Sequence, residues 1–218
     1  MQLEGGERVD ARKVLIASGV RDLVPEVPGI RECYGKSVHH CPYCDGWEVK
    51  DRRLIVLGQG RAAAGLSLSL KTWSAAVTIA SNGRARIPPT QRAQLAREQI
   101  DVDERPISHL SHHDGRARQL HFTTGDARDC DAIFFTTGQS PQCELPRRLG
   151  CEFTRKGTVK TDHLGQTCVP GVYVVGDASY DVQFVIVAAA EGAKAAVAIN
   201  KALQAQSGLA LVSSSKTP

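Results

Sequence analysis

Two cysteines separated by two residues, Cys41 and Cys44, carry the clearest chemical signal in the sequence. Thiols at this spacing can close a small disulfide, and a nearby cation or positive helix end stabilises the reactive thiolate. The pair therefore predicts reversible redox chemistry. Asp45 follows the second thiol directly, so its carboxyl group is a candidate for proton exchange with that thiol, although an aspartate here also suits a simple turn.

Zinc binding is the alternative use of this cysteine pair. His39 and His40 come immediately before Cys41, so the segment offers four candidate ligands. The sequence contains no second C-x-x-C, and two adjacent histidines reach one tetrahedral ion with difficulty. We therefore favour redox chemistry over a metal site, and we expect no disulfide among the remaining cysteines, which are Cys33, Cys130, Cys143, Cys151 and Cys168.

A glycine-rich turn, G-x-G-x-x-A, begins at Gly58. It follows the apolar run Leu54–Leu57 and precedes an Ala/Leu-rich segment, a placement in which backbone N–H groups and the helix dipole can hold a pyrophosphate. Gly58, Gly60, Arg61 and Ala62 are therefore candidate cofactor-binding residues. A tight turn without a ligand is the alternative interpretation.

The segment after the next predicted strand indicates which nucleotide would bind. An NAD site usually has a carboxylate there for the ribose 2′-hydroxyl, and this sequence has none. Ser81, Asn82, Arg84 and Arg86 instead suit a 2′-phosphate, so we predict NADPH over NADH. The alternative is a solvated basic turn.

A second strand end carries a carboxylate near the carboxyl terminus. The predicted strand Val172–Val175 runs into Gly176 and Asp177, and a long Ala-rich helix is expected from about Gln183 to Leu203. A carboxylate at such a junction can hold a sugar or ribityl hydroxyl. An ordinary aspartate turn accounts for the pattern equally well.

Apolar runs separated by glycine turns predict the elements that position these residues. Strands at Leu54–Leu57 and Ala76–Ala80 flank a helix at Ala62–Thr72, which makes a βαβ unit. A further strand is expected at Lys13–Gly19 and a further helix at Thr90–Gln99, with Thr90 as its N-cap. The fold class is therefore α/β.

Composition narrows the class of protein. The 218 residues are 42% hydrophobic and 23% charged, which is typical of a globular chain. The net charge of +4 comes from scattered basic residues, so we expect no nucleic-acid partner. No apolar stretch has the length of a membrane span and the first residues resemble no signal peptide, so we expect no membrane association and a cytoplasmic location.

Five segments, taken in order, resemble the low-molecular-weight thioredoxin reductase family of flavoproteins over almost the whole chain. They are KVLIASG at 13–19, HHCPYCDGWE at 39–48, GQGRAA at 58–63, TTGQSP at 136–141 and GVYVVGDAS at 171–179. The resemblance implies a Rossmann-like NAD(P)-binding domain inserted into a partial FAD-binding domain. The NAD(P) domain would span 37–137, the FAD domain 1–36 and 138–206, and a tail 207–218.

The resemblance also implies roles for individual residues. Cys41 and Cys44 would be the dithiol and Asp45 the acid beside it. Asp177 would contact the flavin ribityl chain and Gln183 would lie near the isoalloxazine ring, with Gly138 and Gly176 as further cofactor-binding positions. Electrons would pass from NADPH through FAD to the dithiol and on to a thioredoxin-like protein or a small disulfide. The alternatives are a flavin-dependent dithiol oxidase and a non-catalytic NADPH-binding module.

The sequence departs from the family pattern in two places. The histidine and paired arginines that usually follow the second NADPH strand are replaced by Ser81-Asn82-Gly83-Arg84. The amino-terminal G-x-G-x-x-G of the FAD domain is absent. We therefore expect this chain alone to hold FAD weakly and to work as a homodimer or with a partner that supplies the missing segment.

Overall fold

The computed structural model describes residues 5–179 and 182–209. The described chain forms two compact units. One comprises the described parts of Met1–Arg21 and Gln139–Pro218, and the other, Asp22–Gly138, is inserted between them in sequence.

The bounds of the elements are as follows. The strands are β1 Val14–Ile16, β2 Val20–Asp22, β3 Val38–His39, β4 Leu54–Leu57, β5 Val77–Ala80, β6 Asp101–Asp103, β7 Ile107–His113, β8 Arg116–Phe122, β9 Arg128–Asp129, β10 Ala132–Phe135, β11 Gln139–Pro141 and β12 Val172–Val174. The helices are α1 Ile30–Cys33, α2 Pro42–Asp45, α3 Gly60–Leu70, α4 Pro89–Arg97, α5 Leu145–Arg148 and α6 Val185–Gln206, with a 3-10 turn at Gly176–Ala178.

The unit Asp22–Gly138 is built on a five-stranded parallel sheet in the order β3-β10-β4-β5-β6. All residues of β4 and β10 are buried, as expected for central parallel strands covered on both faces. Leu57 lies opposite both Ala80 and Phe135, so β4, β5 and β10 end at the same edge of the sheet. The segments that follow these strands therefore meet at that edge.

Alternating side chains of β4 and β10 build two separate cores. Val56 and Phe134 point to one face and join a cluster that includes Ala63, Ala64 and Leu70 of α3. Their neighbours in the strands point to the other face, where they pack with residues of the antiparallel β7–β8 pair. The unit is thus a sheet with helices on one face and a small antiparallel sheet on the other.

The other unit contains two short sheets and the long helix α6. β1 and β12 pair in parallel, with Val14 opposite Val172 and Ile16 opposite Val174. β2 pairs with β11 in a second two-stranded sheet. Ile16, Val159 and Val174 belong to the small core of this unit.

The α/β fold class predicted from the sequence is confirmed, with shifts at the element ends. β4 has the predicted bounds, whereas α3 begins at Gly60 rather than Ala62. The prediction of Thr90 as an N-cap is wrong, because α4 begins at Pro89 and its N-cap is Pro88. Proline suits the first helical position, where its missing N–H is not needed. The cofactor assigned to each domain stays a prediction.

The described residues contain no helix that is both long and apolar enough to cross a bilayer.

Candidate dithiol and nucleotide sites

The cysteine pair lies in a single helical turn. Cys41 is the N-cap of α2 in an extended conformation, and Pro42 occupies the first helical position, which its fixed φ favours. The backbone N–H groups of Cys44 and Asp45 both donate to the Cys41 carbonyl, at 3.3 and 3.2 Å. Residues three and four apart share a helix face, so Cys41, Cys44 and Asp45 lie on one side of the turn.

The two sulfur atoms of the pair are close. Sγ of Cys44 lies 2.9 Å from Sγ of Cys41, and both residues are free thiols in this structure. Cys41 is half-buried and Cys44 is exposed. A disulfide bond of about 2.0 Å is therefore within reach of small side-chain movements.

Two of the buried cysteines outside the pair, Cys33 and Cys130, have a different environment. Burial raises the pKa of Cys33, and it raises the pKa of Cys130 to about 12. Both side chains are therefore held as thiols at neutral pH, and thiols are poor nucleophiles. Reactive chemistry is favoured at the exposed turn rather than in this core.

His39 and Asp45 form a contact beside the dithiol. Nδ1 of His39, at the end of β3, lies 3.2 Å from Oδ1 of Asp45. The His39 side chain is 8% exposed, and its ring packs against Phe134 with centroids 5.4 Å apart. Burial lowers the pKa of His39, while the Asp45 and Glu48 carboxylates act in the opposite direction.

His40 contacts a different carboxylate. Its Nδ1 lies 3.1 Å from Oδ2 of Asp22, which also accepts a hydrogen bond from the Tyr34 hydroxyl. Burial and that hydrogen bond raise the pKa of Tyr34 to about 12. The two histidines thus face separate acids, and the described residues contain no group of three or more His, Cys, Asp and Glu that could hold a metal ion.

A cavity of about 480 Å³ lies beside the His39–Asp45 contact and is lined by both residues. Its walls also carry charged groups of both signs, namely Lys36, Glu48, Arg52, Arg116, Arg118 and Asp131. The Asp45 side chain is 35% exposed, so solvent reaches the carboxylate.

The glycine turn at the end of β4 fits a phosphate group. Thr136, which follows β10, occupies the space beside Gly58, and Gly60 has a φ of +65° that favours glycine. No side chain caps the start of α3. The backbone N–H groups of Arg61 and Ala62 have no partner among the described residues, and both residues are exposed. A helix end with unused donors is an anion site by geometry and dipole.

The four residues predicted to select the nucleotide divide into two pairs. Ser81 is buried and its hydroxyl donates to the Gly83 carbonyl at 2.6 Å. The Asn82 side-chain oxygen accepts from the Ile107 N–H at 2.8 Å. These two side chains therefore hold the turn itself. Arg84 and Arg86 are exposed beside it.

A carboxylate that the sequence analysis did not consider lies at this turn. Oε1 of Glu104, which follows β6, accepts hydrogen bonds from the Ala85 N–H at 3.0 Å and from Arg92 at 2.7 Å. Arg92 holds the pKa of Glu104 below its usual value, and Arg84 contributes to that effect. The parallel β5–β6 pairing brings Glu104 to the segment after β5, and a contact with an adjacent strand is not visible in the local sequence.

The candidate flavin-contacting residues lie in the other unit. Asp177 is half-buried in the 3-10 turn, and its carboxylate has no hydrogen-bond partner among the described residues. The Gln183 side chain donates to the Asp177 carbonyl at 3.3 Å.

Glu191 of α6, which the sequence analysis did not identify, contacts the same turn. Its carboxylate accepts hydrogen bonds from the Gly176 N–H at 2.6 Å and the Ser179 hydroxyl at 3.0 Å. Gly138 belongs to the unit Asp22–Gly138, and its carbonyl accepts from the Leu23 N–H at 3.0 Å.

The described residues thus form an α/β fold that carries a glycine-rich turn after β4 and a cysteine pair in α2. Comparison with known proteins agrees, since residues 1–192 match the model of the pyridine nucleotide-disulphide oxidoreductase family. The chain belongs to this family. Thioredoxin reductase-like members of the family use FAD and NADPH.

Individual relatives and solved structures resemble the chain over most of its length. Thioredoxin reductase aclD of Aspergillus oryzae is 27% identical over 197 residues, which are 86% of this chain and 63% of aclD. The structure of a putative thioredoxin reductase TrxB from Bacillus anthracis matches with a TM-score of 0.86 and 30% identity, covering 93% of this chain and 68% of TrxB. The structure of HlmI matches with a TM-score of 0.89 and 34% identity, covering 95% of this chain and 65% of HlmI. The chain thus spans less than two thirds of the length of aclD.

Proposed function

We propose that this chain carries the dithiol centre and the NADPH site of a flavin-dependent disulfide oxidoreductase. The observation that carries the proposal is the 2.9 Å separation of the Cys41 and Cys44 sulfur atoms in a turn that places Asp45 on the same face. Two thiols and a carboxylate so arranged have the parts needed for thiol–disulfide exchange.

The exchange balances within the cysteine pair and its substrate. One cysteine thiolate attacks a sulfur of the substrate disulfide, so a mixed disulfide forms as the substrate S–S bond breaks. The second thiolate then attacks the mixed disulfide, which closes the Cys41–Cys44 bond and releases the second substrate thiolate. The two protons lost by the cysteines are balanced by two protons that the substrate sulfurs gain from solvent, and Asp45 is placed to accept a proton from the cysteines.

The nucleotide site assigns separate tasks to its residues. Gly58 and Gly60 let the chain pass close to a pyrophosphate, and the N–H groups of Arg61 and Ala62 would donate to it. Arg84 and Arg86 would pair with the 2′-phosphate of NADPH.

The candidate flavin-contacting residues around Asp177 support the same proposal. The half-buried Asp177 carboxylate would be an acceptor suited to a ribityl hydroxyl, in a turn that Glu191 and Gln183 contact. When bound, FAD supplies the transfer of an electron pair between the nicotinamide and the cysteine pair.

The proposed substrates are a thioredoxin-like protein and small disulfides. The test uses Cys41→Ser and Cys44→Ser variants mixed with a single-cysteine thioredoxin that carries a thionitrobenzoate leaving group. We expect a stable mixed disulfide through the remaining cysteine of the pair, detected by mass spectrometry and peptide mapping. A Cys168→Ser variant is the control, because Cys168 is an exposed thiol outside the pair. Cross-links at Cys168 with none at Cys41 or Cys44 would contradict the proposal.

A further inference from the structure

We propose that His39 is a positioning residue for the dithiol, because it donates a hydrogen bond to Asp45 and thereby holds the cluster of Asp45 and the two thiols in its deprotonated, reactive form. The inference deepens the proposed function and rests on it. It assigns a role to a residue whose sequence position suggested only a metal ligand.

The first argument is the fixed geometry of His39. It occupies the end of a sheet strand, where its neighbour Val38 lies opposite Ile133 and His39 itself lies opposite Phe134. The ring is 8% exposed and packed on Phe134, so few rotamers are available to it. A donor held this firmly fixes the carboxylate that it contacts at 3.2 Å.

The second argument is the tautomer of the ring. Nε2 of His39 is buried and has no hydrogen-bond partner among the described residues. A hydrogen on this atom would be left unsatisfied, and burial also opposes the charged form of the ring. The neutral ring with its hydrogen on Nδ1 satisfies the Asp45 carboxylate and leaves only an acceptor unpaired. This tautomer is assigned from the hydrogen-bond pattern.

The third argument concerns the charges that face the pair. The Glu48 carboxylate, like that of Asp45, raises the pKa of His39, whereas the nearby His40 lowers it. The cavity wall adds the cations Lys36, Arg52, Arg116 and Arg118 and the carboxylate of Asp131. The Asp131 carboxylate accepts two hydrogen bonds from the Arg53 guanidinium, each of 3.0 Å. Asp45 therefore has a short-range contact with His39, while the more distant charges are of mixed sign.

The proton has a route from the dithiol to solvent. Asp45 shares the face of Cys41 and Cys44, and it also lines the cavity of about 480 Å³. A proton that leaves a cysteine thiol can pass to the Asp45 carboxylate and then to water in that cavity. When the substrate disulfide is cleaved, the leaving thiolate takes up a proton from water. His39 neither gains nor loses a proton in this step.

His40 provides an internal contrast, because it contacts Asp22 rather than Asp45. His39 ends β3 and His40 lies in the bend that follows, and the two adjacent histidines contact different acids. Of these two histidines, His39 is the one placed to act on the dithiol through Asp45.

The test measures the rate at which the reduced chain reacts with the aromatic disulfide 5,5′-dithiobis(2-nitrobenzoate) as a function of pH. A Cys168→Ser background removes an exposed thiol that would also react. Neither NADPH nor FAD takes part in this reaction. His39→Leu removes the donor, whereas His39→Asn places an amide N–H near the position of Nδ1.

A hydrogen bond donated to an anion favours the ionised form, so its loss makes the cluster hold its protons more tightly. We expect the acidic limb of the rate profile to move to higher pH in His39→Leu, with a rate on that limb about tenfold lower per pH unit of displacement. His39→Asn should restore the profile. His113→Leu is the matched control, because His113 lies 3.3 Å from Asp114 in an exposed His–Asp contact on another segment.

A His39→Leu profile that superimposes on that of the unmodified chain would overturn the inference. Peptide mapping after the reaction separates this result from failure of the proposed function. If only the inference fails, every variant still closes the Cys41–Cys44 disulfide. If the proposed function fails, the pair ends as two separate thionitrobenzoate adducts. Should His39→Leu fail to fold, Asp45→Asn must displace the same limb for the inference to stand.

Discussion

Oγ1 of Thr136 lies 2.0 Å from the position that a Cβ atom at Gly58 would occupy. The contact joins the residues that follow β4 and β10, two neighbouring strands of the parallel sheet. Glycine at this point therefore leaves room for the Thr136 side chain, in addition to any role toward a bound nucleotide.

Gly58→Ala is expected to destabilise the chain because the new methyl group would overlap Thr136. The loss in free energy of unfolding should be about 1–3 kcal/mol, measured by urea denaturation. Adding Thr136→Ala should recover part of that loss, since it removes the opposing hydroxyl. The control is Gly65→Ala in α3, where nothing lies within 4 Å of the added methyl group and helix propensity predicts a gain of about 0.5–1 kcal/mol. Equal urea midpoints for the unfolding of Gly58→Ala and of the unmodified chain would contradict this account.

Arg84 and Arg86 should give the chain a higher affinity for NADPH than for NADH. Their guanidinium groups are exposed beside the turn after β5, where they can pair with a 2′-phosphate. Replacing both by alanine is expected to remove most of the difference between the two dissociation constants, measured by calorimetry. Arg97→Ala, on the last turn of α4, is a control for the loss of a surface arginine outside this turn. If the unmodified chain binds both nucleotides equally, the assignment is wrong.

Glu104 should act against that preference. Its carboxylate is held by Ala85 and Arg92 at the same turn, so it places negative charge near the proposed 2′-phosphate. Glu104→Gln keeps an acceptor for the Ala85 N–H and removes the charge. We expect NADPH to bind a few-fold more tightly relative to NADH in this variant, with a smaller effect at high salt. If the preference for NADPH over NADH instead becomes smaller in Glu104→Gln, Glu104 supports the site through Arg92.

His39 should make stability depend on pH in mildly acidic solution. Burial lowers its pKa in the folded chain, so below about pH 6.5 the unfolded chain binds more protons than the folded one. The contribution of the neutral His39 ring to the free energy of unfolding is complete above that pH. It is lost as the pH falls, with a slope of at most about 1.4 kcal/mol per pH unit. His39→Leu should have a flatter dependence in urea denaturation between about pH 5 and 7. An unchanged slope would contradict burial of a neutral ring.

Features that depend on local pattern could be predicted from the sequence. The apolar run Leu54–Leu57 followed by Gly58 and Gly60 predicts a strand, a tight turn and a helix, and these are present. β7 was missed, because ISHLSHH shows no regular alternation of apolar and polar residues and Leu110 is its only buried residue. Its pairing with β8 provides the stability that the residue pattern does not indicate.

Contacts between distant segments could not be predicted in the same way. Glu104 reaches the turn after β5 because β6 pairs with β5, and Glu191 reaches Gly176 from the next helix. His39 was visible as a polar residue beside the cysteines, but spacing alone does not show that a strand end directs it to Asp45. The redox chemistry of Cys41 and Cys44 could be predicted from residue types and spacing, whereas the residues that contact the candidate sites are determined by the fold.

The central claim, that Cys41 and Cys44 form a reversible redox pair, is tested most directly by a redox titration with thiol mapping. The chain is equilibrated in mixtures of reduced and oxidised glutathione, quenched with acid, alkylated and analysed by peptide mass spectrometry. We predict that Cys41 and Cys44 convert together from thiols to one disulfide in a single two-electron transition, while Cys33 and Cys130 stay reduced. Separate glutathione adducts on Cys41 and Cys44, or a disulfide that joins either of them to another cysteine, would contradict the account.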